Sequence, residues 1–308
     1  MTTLLYTHPA CLEHDPGHYH PESPARLRAV LEALAAPEFA RLDRRSAPEA
    51  AIDEIARVHP RRFVERLLAA VPREGHRGID ADTVLCPASG RAALHAAGAV
   101  VAAVDAVAAG EGNNAFCAVR PPGHHAEPQR SMGFCLFNNV AIGAHRARAA
   151  HDLSRVAVVD FDVHHGNGTQ ACFAADAGFF YGSTHQSPLY PGTGARSETG
   201  IGNIVNVPLP PGAGSRQFRL GFSDAILPAL DAFRPEMLLI SAGFDAHRDD
   251  PLAQLRLDES DYMWATEQLL ELARQHAAGR VVSTLEGGYD LAALGRSAAA
   301  HVRVLLSV

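Results

Sequence analysis

Five short runs of this chain are apolar on both faces that an extended strand presents: Ala115–Val119, Val156–Asp160, Phe179–Ser183, Met237–Ser241 and Val281–Leu285. A strand with one wet face alternates apolar and polar residues, whereas a strand apolar on both faces belongs in a parallel sheet covered by helices. Stretches of helical character and high alanine content lie among them, at Arg26–Ala35, Arg91–Ala109, Val140–Ala150, Gln217–Ala232 and Glu259–His276. Strands alternating with helices predict one α/β domain over residues 1–308, an open parallel sheet flanked by helices. No repeat, low-complexity tract or linker divides it. Two segments break the pattern, the His- and Pro-rich His8–Pro24 and the Gly- and Pro-rich His185–Gly214, and long irregular segments inside a compact domain are more often functional than idle.

Composition narrows the function by exclusion. A formal charge of -7 gives no basic footprint for nucleic acid. No apolar run approaches the roughly 18 residues that span a bilayer, and residues 1–10 lack a charged segment followed by a long apolar one. Neither a membrane nor a secretory leader is expected. The 5 cysteines (Cys11, Cys86, Cys117, Cys135, Cys172) form no C-x-x-C pair and are odd in number, which fits a reducing cytoplasm better than a disulfide framework. Cys135 sits in a motif of interest, but a small buried apolar role is expected for all five.

In an open α/β sheet the loops at the carboxyl ends of the strands build the binding crevice. Here those loops carry unusual residues. After Val156–Asp160 comes Phe161-Asp162-Val163-His164-His165-Gly166-Asn167. Continued strand alternation would point Asp160, Asp162 and His164 the same way, a set of hard oxygen and borderline nitrogen donors suited to a divalent metal. After Ala115–Val119 comes Arg120-Pro121-Pro122-Gly123-His124-His125, a histidine pair in a stiff turn. After Met237–Ser241 comes Ala242-Gly243-Phe244-Asp245, where Asp245 is either a third ligand or a helix cap. After Val281–Leu285 comes Glu286-Gly287-Gly288-Tyr289, whose glycines permit a sharp turn that sets the tyrosine in a cleft. Metal-dependent hydrolysis is the chemistry these loops share.

Taken in order, these motifs resemble the zinc-dependent deacetylases of the histone deacetylase and acetylpolyamine amidohydrolase superfamily. The resemblance runs from His20-Pro21-Glu22-Ser23-Pro24-Ala25-Arg26-Leu27 to the Tyr289 motif. It includes Gly133-Phe134-Cys135-Leu136-Phe137-Asn138-Asn139 and Tyr190-Pro191-Gly192-Thr193-Gly194. It implies the arginase/deacetylase fold and hydrolysis of acetyl-lysine amides by metal-activated water. It also implies Asp162, His164 and Asp245 as ligands to zinc, with ferrous iron an alternative. His125 would be the general base that later protonates the amine, and His124 its electrostatic companion. Asp160 would orient His124, Asn167 would orient His125, and Tyr289 would polarise the amide carbonyl. Gly133, Phe134 and Tyr190 would form the wall and rim of an acyl-lysine tunnel, and Arg26 would line an acetate channel. Asp160, Asp162, His164, Ser183 and Thr184 would hold a potassium ion.

Two departures carry information. Many members of the first class have Asp where this chain has Asn167, and a neutral amide holds a proton on its histidine less strongly than a carboxylate does. His125 is therefore expected neutral at pH 7 and His124 charged. The polyamine-selective branch has a Glu seven residues beyond its last metal ligand, where this chain has Leu252. An apolar gate favours acetyl-lysine over acetylpolyamines or other small acylated amines. A non-catalytic module on this fold would have lost the tyrosine or a histidine, and a two-manganese arginase-like site would need further acidic ligands.

Overall fold

The computed structural model describes residues 2–307. Eight strands form one parallel sheet: β1 (Thr3–Thr7), β2 (Asp43–Ser46), β3 (Asn114–Cys117), β4 (Val156–Asp160), β5 (Phe179–Gln186), β6 (Ile204–Leu209), β7 (Met237–Ala242) and β8 (Val281–Leu285). Their order across the sheet is β2-β1-β3-β8-β7-β4-β5-β6, so the last two strands in sequence fill the centre. The main helices are α1 (Pro24–Ala33), α2 (Ser89–Ala108), α3 (Asn139–His151), α4 (Glu259–His276) and α5 (Leu291–Leu305). Every residue of β3, β4, β5, β7 and β8 is buried, as the two-faced apolar pattern requires.

The register does the positioning. Cys117, Thr284, Ser241, Asp160 and Ser183 lie side by side across β3, β8, β7, β4 and β5. Because these strands are parallel, their carboxyl ends lie on one edge, and four loops far apart in sequence open there next to one another. Helix α4 keeps its predicted bounds because Asp258 caps it, accepting the Ser260 N–H, while Arg274 and His276 face the negative end of its dipole.

Several sequence expectations need correction. The irregular stretch His185–Gly214 contains all of β6, an edge strand that pairs only with β5. Pro208 is tolerated there because one side of an edge strand needs no N–H donor. The single helix expected over Gln217–Ala232 is three pieces, Ser215–Gly221, a π-helical turn Phe222–Ile226 and Leu227–Phe233. Pro228 lacks the N–H that would continue α-helical bonding, which explains the widened turn before it. The strands β1 and β2 and the helix α5 were not anticipated. Helix α2 is long and apolar enough to cross a membrane, but two thirds of it, 67% of the most apolar window, is buried within the fold, so it reads as a core helix.

Candidate active site

The strand β4 stops at Asp160, so the alternation expected through His164 does not occur. A turn performs the convergence instead. Asp160 Oδ1 accepts the Asp162 N–H at 3.0 Å, and Asp162 Oδ1 accepts the His164 N–H at 2.9 Å. Asp245, delivered by the loop after neighbouring β7, accepts the Val163 N–H at 2.8 Å. Asp245 is thus part of the same cluster and not a helix cap. Among the described residues, Asp162, His164 and Asp245 are the group able to hold a metal ion, with donor atoms all within 4.8 Å of one another.

The residues fit a divalent cation. Nδ1 of His164 lies 3.2 Å from Asp162 Oδ1 and 3.1 Å from Asp245 Oδ2, so one nitrogen and two carboxylates face a common point. Burial disfavours charge on His164, yet the two aspartates overcome it and push its pKa up to about 10. Burial and the Asp162 charge raise Asp245 to about 7. Such a cluster is short of positive charge. Gly243 and Gly287 leave the room: a Cβ on either would fall on the carboxylate oxygens of Asp162 or Asp245. Gly243→Ala is therefore expected to fold but to lose at least about 10-fold in metal affinity, by analogy with disturbed ligand orientation, as measured by competition with a chromophoric chelator.

The histidine pair sits beside this cluster. Nδ1 of His124 is 3.0 Å from Asp160 Oδ2, and Nδ1 of His125 is 2.9 Å from Asn167 Oδ1. The Asn167 amide donates to Glu127 Oε1 at 2.8 Å, which fixes its oxygen towards His125. The two rings differ in charge, and burial with neighbouring charges, rather than Asn167, sets the difference. Burial opposes charge on His124, but Asp162 and then Asp160 raise its pKa to about 10. Burial, His124 and His164 together hold His125 well below the usual histidine range. Asp162, 3.8 Å from His124 Nε2, adds its charge to the hydrogen bond and charge of Asp160.

A cavity of about 230 Å³ opens above the pair, lined by Asp82, His125, Gly133, Phe134, His164, Leu189, Tyr190, Leu252 and Tyr289. Seven of these nine were anticipated as ligand, base, tunnel wall, gate or hydroxyl donor. Phe134 adopts a left-handed backbone, φ 68°, unusual for a large side chain. That turn is held by the Gly133 N–H on Asp82 Oδ1 (3.2 Å) and the Phe134 N–H on Thr83 Oγ1 (3.1 Å). A Cβ at Gly133 would lie 2.5 Å from the His125 ring, so glycine is needed there. Tyr190 meets the His125 ring edge-on, centroids 5.1 Å apart. Arg26 lies outside this cavity, fully buried, with its guanidinium 4.8 Å from the Tyr289 ring centre and donating to the Glu286 and Gly288 carbonyls. Of the five residues expected to hold potassium, Ser183 lies beside Asp160 in the sheet, with its hydroxyl 2.9 Å from His185 Nδ1.

Three residues lie outside the sequence expectations: Asp82 and Leu189 in the cavity lining, and Glu286 beside the histidine pair. Asp82 comes from a short hairpin (Arg77–Gly78 with Val84–Leu85) distant in sequence from every motif, and nothing in its neighbourhood marks it. Glu286 stands in the sequence as a carboxylate directly after a strand that is buried throughout, and a buried acid requires donors. It is fully buried, accepts from Gly123, His124 and Ser241, and is pushed up to about 7 by that burial against the pull of His124.

Fold and site define an open-sheet α/β protein with a metal-capable Asp–His–Asp cluster and an adjacent histidine pair. The sequence matches the histone deacetylase domain over residues 20–305. It is 39% identical over 98% of its length to histone deacetylase 14, chloroplastic, of Arabidopsis thaliana, covering 76% of that protein. It is 40% identical over 89% of its length to the histone deacetylase-like amidohydrolase of Pseudomonas aeruginosa, covering 73% of it. The crystal structure of the HDA15 HD domain superposes with a TM-score of 0.93 at 36% identity, over 99% of this chain and 88% of that one. The chain belongs to the histone deacetylase family and has its fold, that of the arginase/deacetylase class.

Proposed function

We propose that this protein hydrolyses the amide of acetylated lysine side chains with zinc as its metal, ferrous iron suiting the same donors. The observation that carries the reading is the 230 Å³ cavity, which sets His125, His164 and Tyr289 in one lining behind apolar walls at Phe134 and Leu252. Asp162, His164 and Asp245 would hold the ion, which supplies a Lewis acid and a water acidic enough to attack near pH 7. His125 donates its Nδ1–H to Asn167, so Nε2 is free to take a proton from the attacking water. The same nitrogen then returns a proton to the departing amine. His124, charged through Asp162 and Asp160, opposes a second positive charge on His125 and keeps it a base. The Tyr289 hydroxyl donates to the oxygen on which negative charge develops. Asp160, Asp162, His164, Ser183 and Thr184 are proposed as a potassium site, supported by the register that sets Ser183 beside Asp160. A reducing, cytoplasmic setting is proposed from the odd number of the five cysteines and the lack of a C-x-x-C pair.

Leu252 gives a distal ammonium no ion-pair partner, which favours acetyl-lysine. Asp82 favours the second reading, an acetylpolyamine or other small acylated amine, because it places a carboxylate in the same lining. Turnover of an acetyl-lysine peptide and an acetylated polyamine, measured side by side on zinc-loaded protein, decides between them. Faster peptide hydrolysis is expected; faster polyamine hydrolysis would overturn the substrate and keep the reaction.

A further inference from the structure

We propose that Glu286 is a positioning residue for the histidine pair and acts through one oxygen atom, not through its charge; this rests on the amide-hydrolase reading above. Its side chain joins three strand ends. Oε2 accepts the Gly123 N–H at 2.6 Å and the His124 N–H at 3.2 Å, while Oε1 accepts the Ser241 hydroxyl at 3.2 Å. Its own N–H donates to Ala242 O at 2.9 Å, which anchors the carboxylate to β7 and β8.

The sequence of the turn explains why such an acceptor is needed. Pro121 and Pro122 carry no N–H, so Gly123 and His124 hold the first backbone donors after Arg120, and both are buried. A buried N–H without a partner costs roughly 1–3 kcal/mol. Glu286 Oε2 satisfies the two together and thereby sets the height of the turn. The two rings ride on that turn, and each has one bond to keep: His124 to Asp160 at 3.0 Å and His125 to Asn167 at 2.9 Å. A misplacement of about 1 Å costs on the order of 100-fold in rate.

Glutamine and aspartate separate oxygen from charge. In Glu286→Gln the amide oxygen replaces Oε2 and keeps both turn N–H bonds, while the NH2 donates to Ser241 Oγ with the direction of that bond reversed. Glu286→Asp keeps the charge but is one methylene too short to reach Gly123. We expect the Gln variant to keep kcat within about 3-fold and the Asp variant to lose roughly 100-fold, with KM nearly constant in both. Crystal structures of both variants should show the His125–Asn167 bond kept in Gln and lengthened in Asp. An Asp variant with parental kcat and unmoved rings, or a Gln variant as impaired as Asp, overturns the proposal. If the parent releases no acetate from any substrate, the hydrolase reading fails, and the ring positions still decide the role of Glu286.

Discussion

Tyr289→Phe lowers kcat on an acetyl-lysine peptide by roughly 100- to 1000-fold, the usual effect of removing one donor to a developing oxyanion. Only the hydroxyl oxygen is lost. The ring remains edge-on to Phe134, centroids 5.9 Å apart, and over the Arg26 guanidinium. The backbone also stays fixed, because the Tyr289 N–H donates to Asp250 Oδ2 at 2.7 Å. KM and the circular dichroism spectrum should therefore hardly change. Burial keeps the phenol well above its ordinary pKa despite the opposing pull of Arg26, so it is a hydrogen-bond donor throughout the working pH range. Steady-state kinetics of the two proteins at one zinc loading check this. Equal kcat would remove Tyr289 from the chemistry and leave the oxyanion without this donor.

Glu22→Ala is the largest expected loss of stability. Glu22 is fully buried between two fully buried arginines, its carboxylate accepting from Arg26 at 3.0 Å and from both Nε and NH2 of Arg120, the latter at 2.6 Å. Exchanging a whole buried ionic cluster for apolar residues is often neutral, but deleting one partner leaves uncompensated charge and costs about 3–5 kcal/mol. For a chain of this size that lowers Tm by roughly 5–10 °C, readable by calorimetry. Arg26 also grips the carbonyls on both sides of Gly287, so activity should fall before the fold does. The pH dependence follows from the same group. Burial would raise the Glu22 pKa, but Arg120 and His14 hold it well below the usual carboxylate range. Its stabilisation is thus complete above the unfolded value near 4.5 and is lost as pH falls through the lower folded value. The acid limb of the stability curve should therefore be flatter in the variant, which lacks this group's proton uptake.

The extent to which the sequence disclosed this protein differs between elements for physical reasons. The bounds of β4, β8 and α4 were legible because burial on both faces and a capping box are local patterns. Strand β6 was not, since an edge strand carrying Pro208 lacks that pattern. Strands β1 and β2 and helix α5 also went unread. The seven anticipated residues of the cavity were found because each follows a strand or belongs to a recognised motif. Asp82 is not legible in the sequence because its placement depends on a hairpin packing against Gly133, 51 residues further along the chain.

The chain by itself determined the α/β class and the residue types at four strand ends. Tertiary structure alone decided that the last two strands enter between β3 and β4, so that loops from residues near 124, 162, 245 and 289 open side by side. It also decided that a turn, not strand alternation, brings Asp162 and His164 together, and that Asp162 joins Asp160 in charging His124. Local patterns record which face of an element is buried. Coulomb interactions and hydrogen bonds depend on distances in space, which exist only once the strands have found their order.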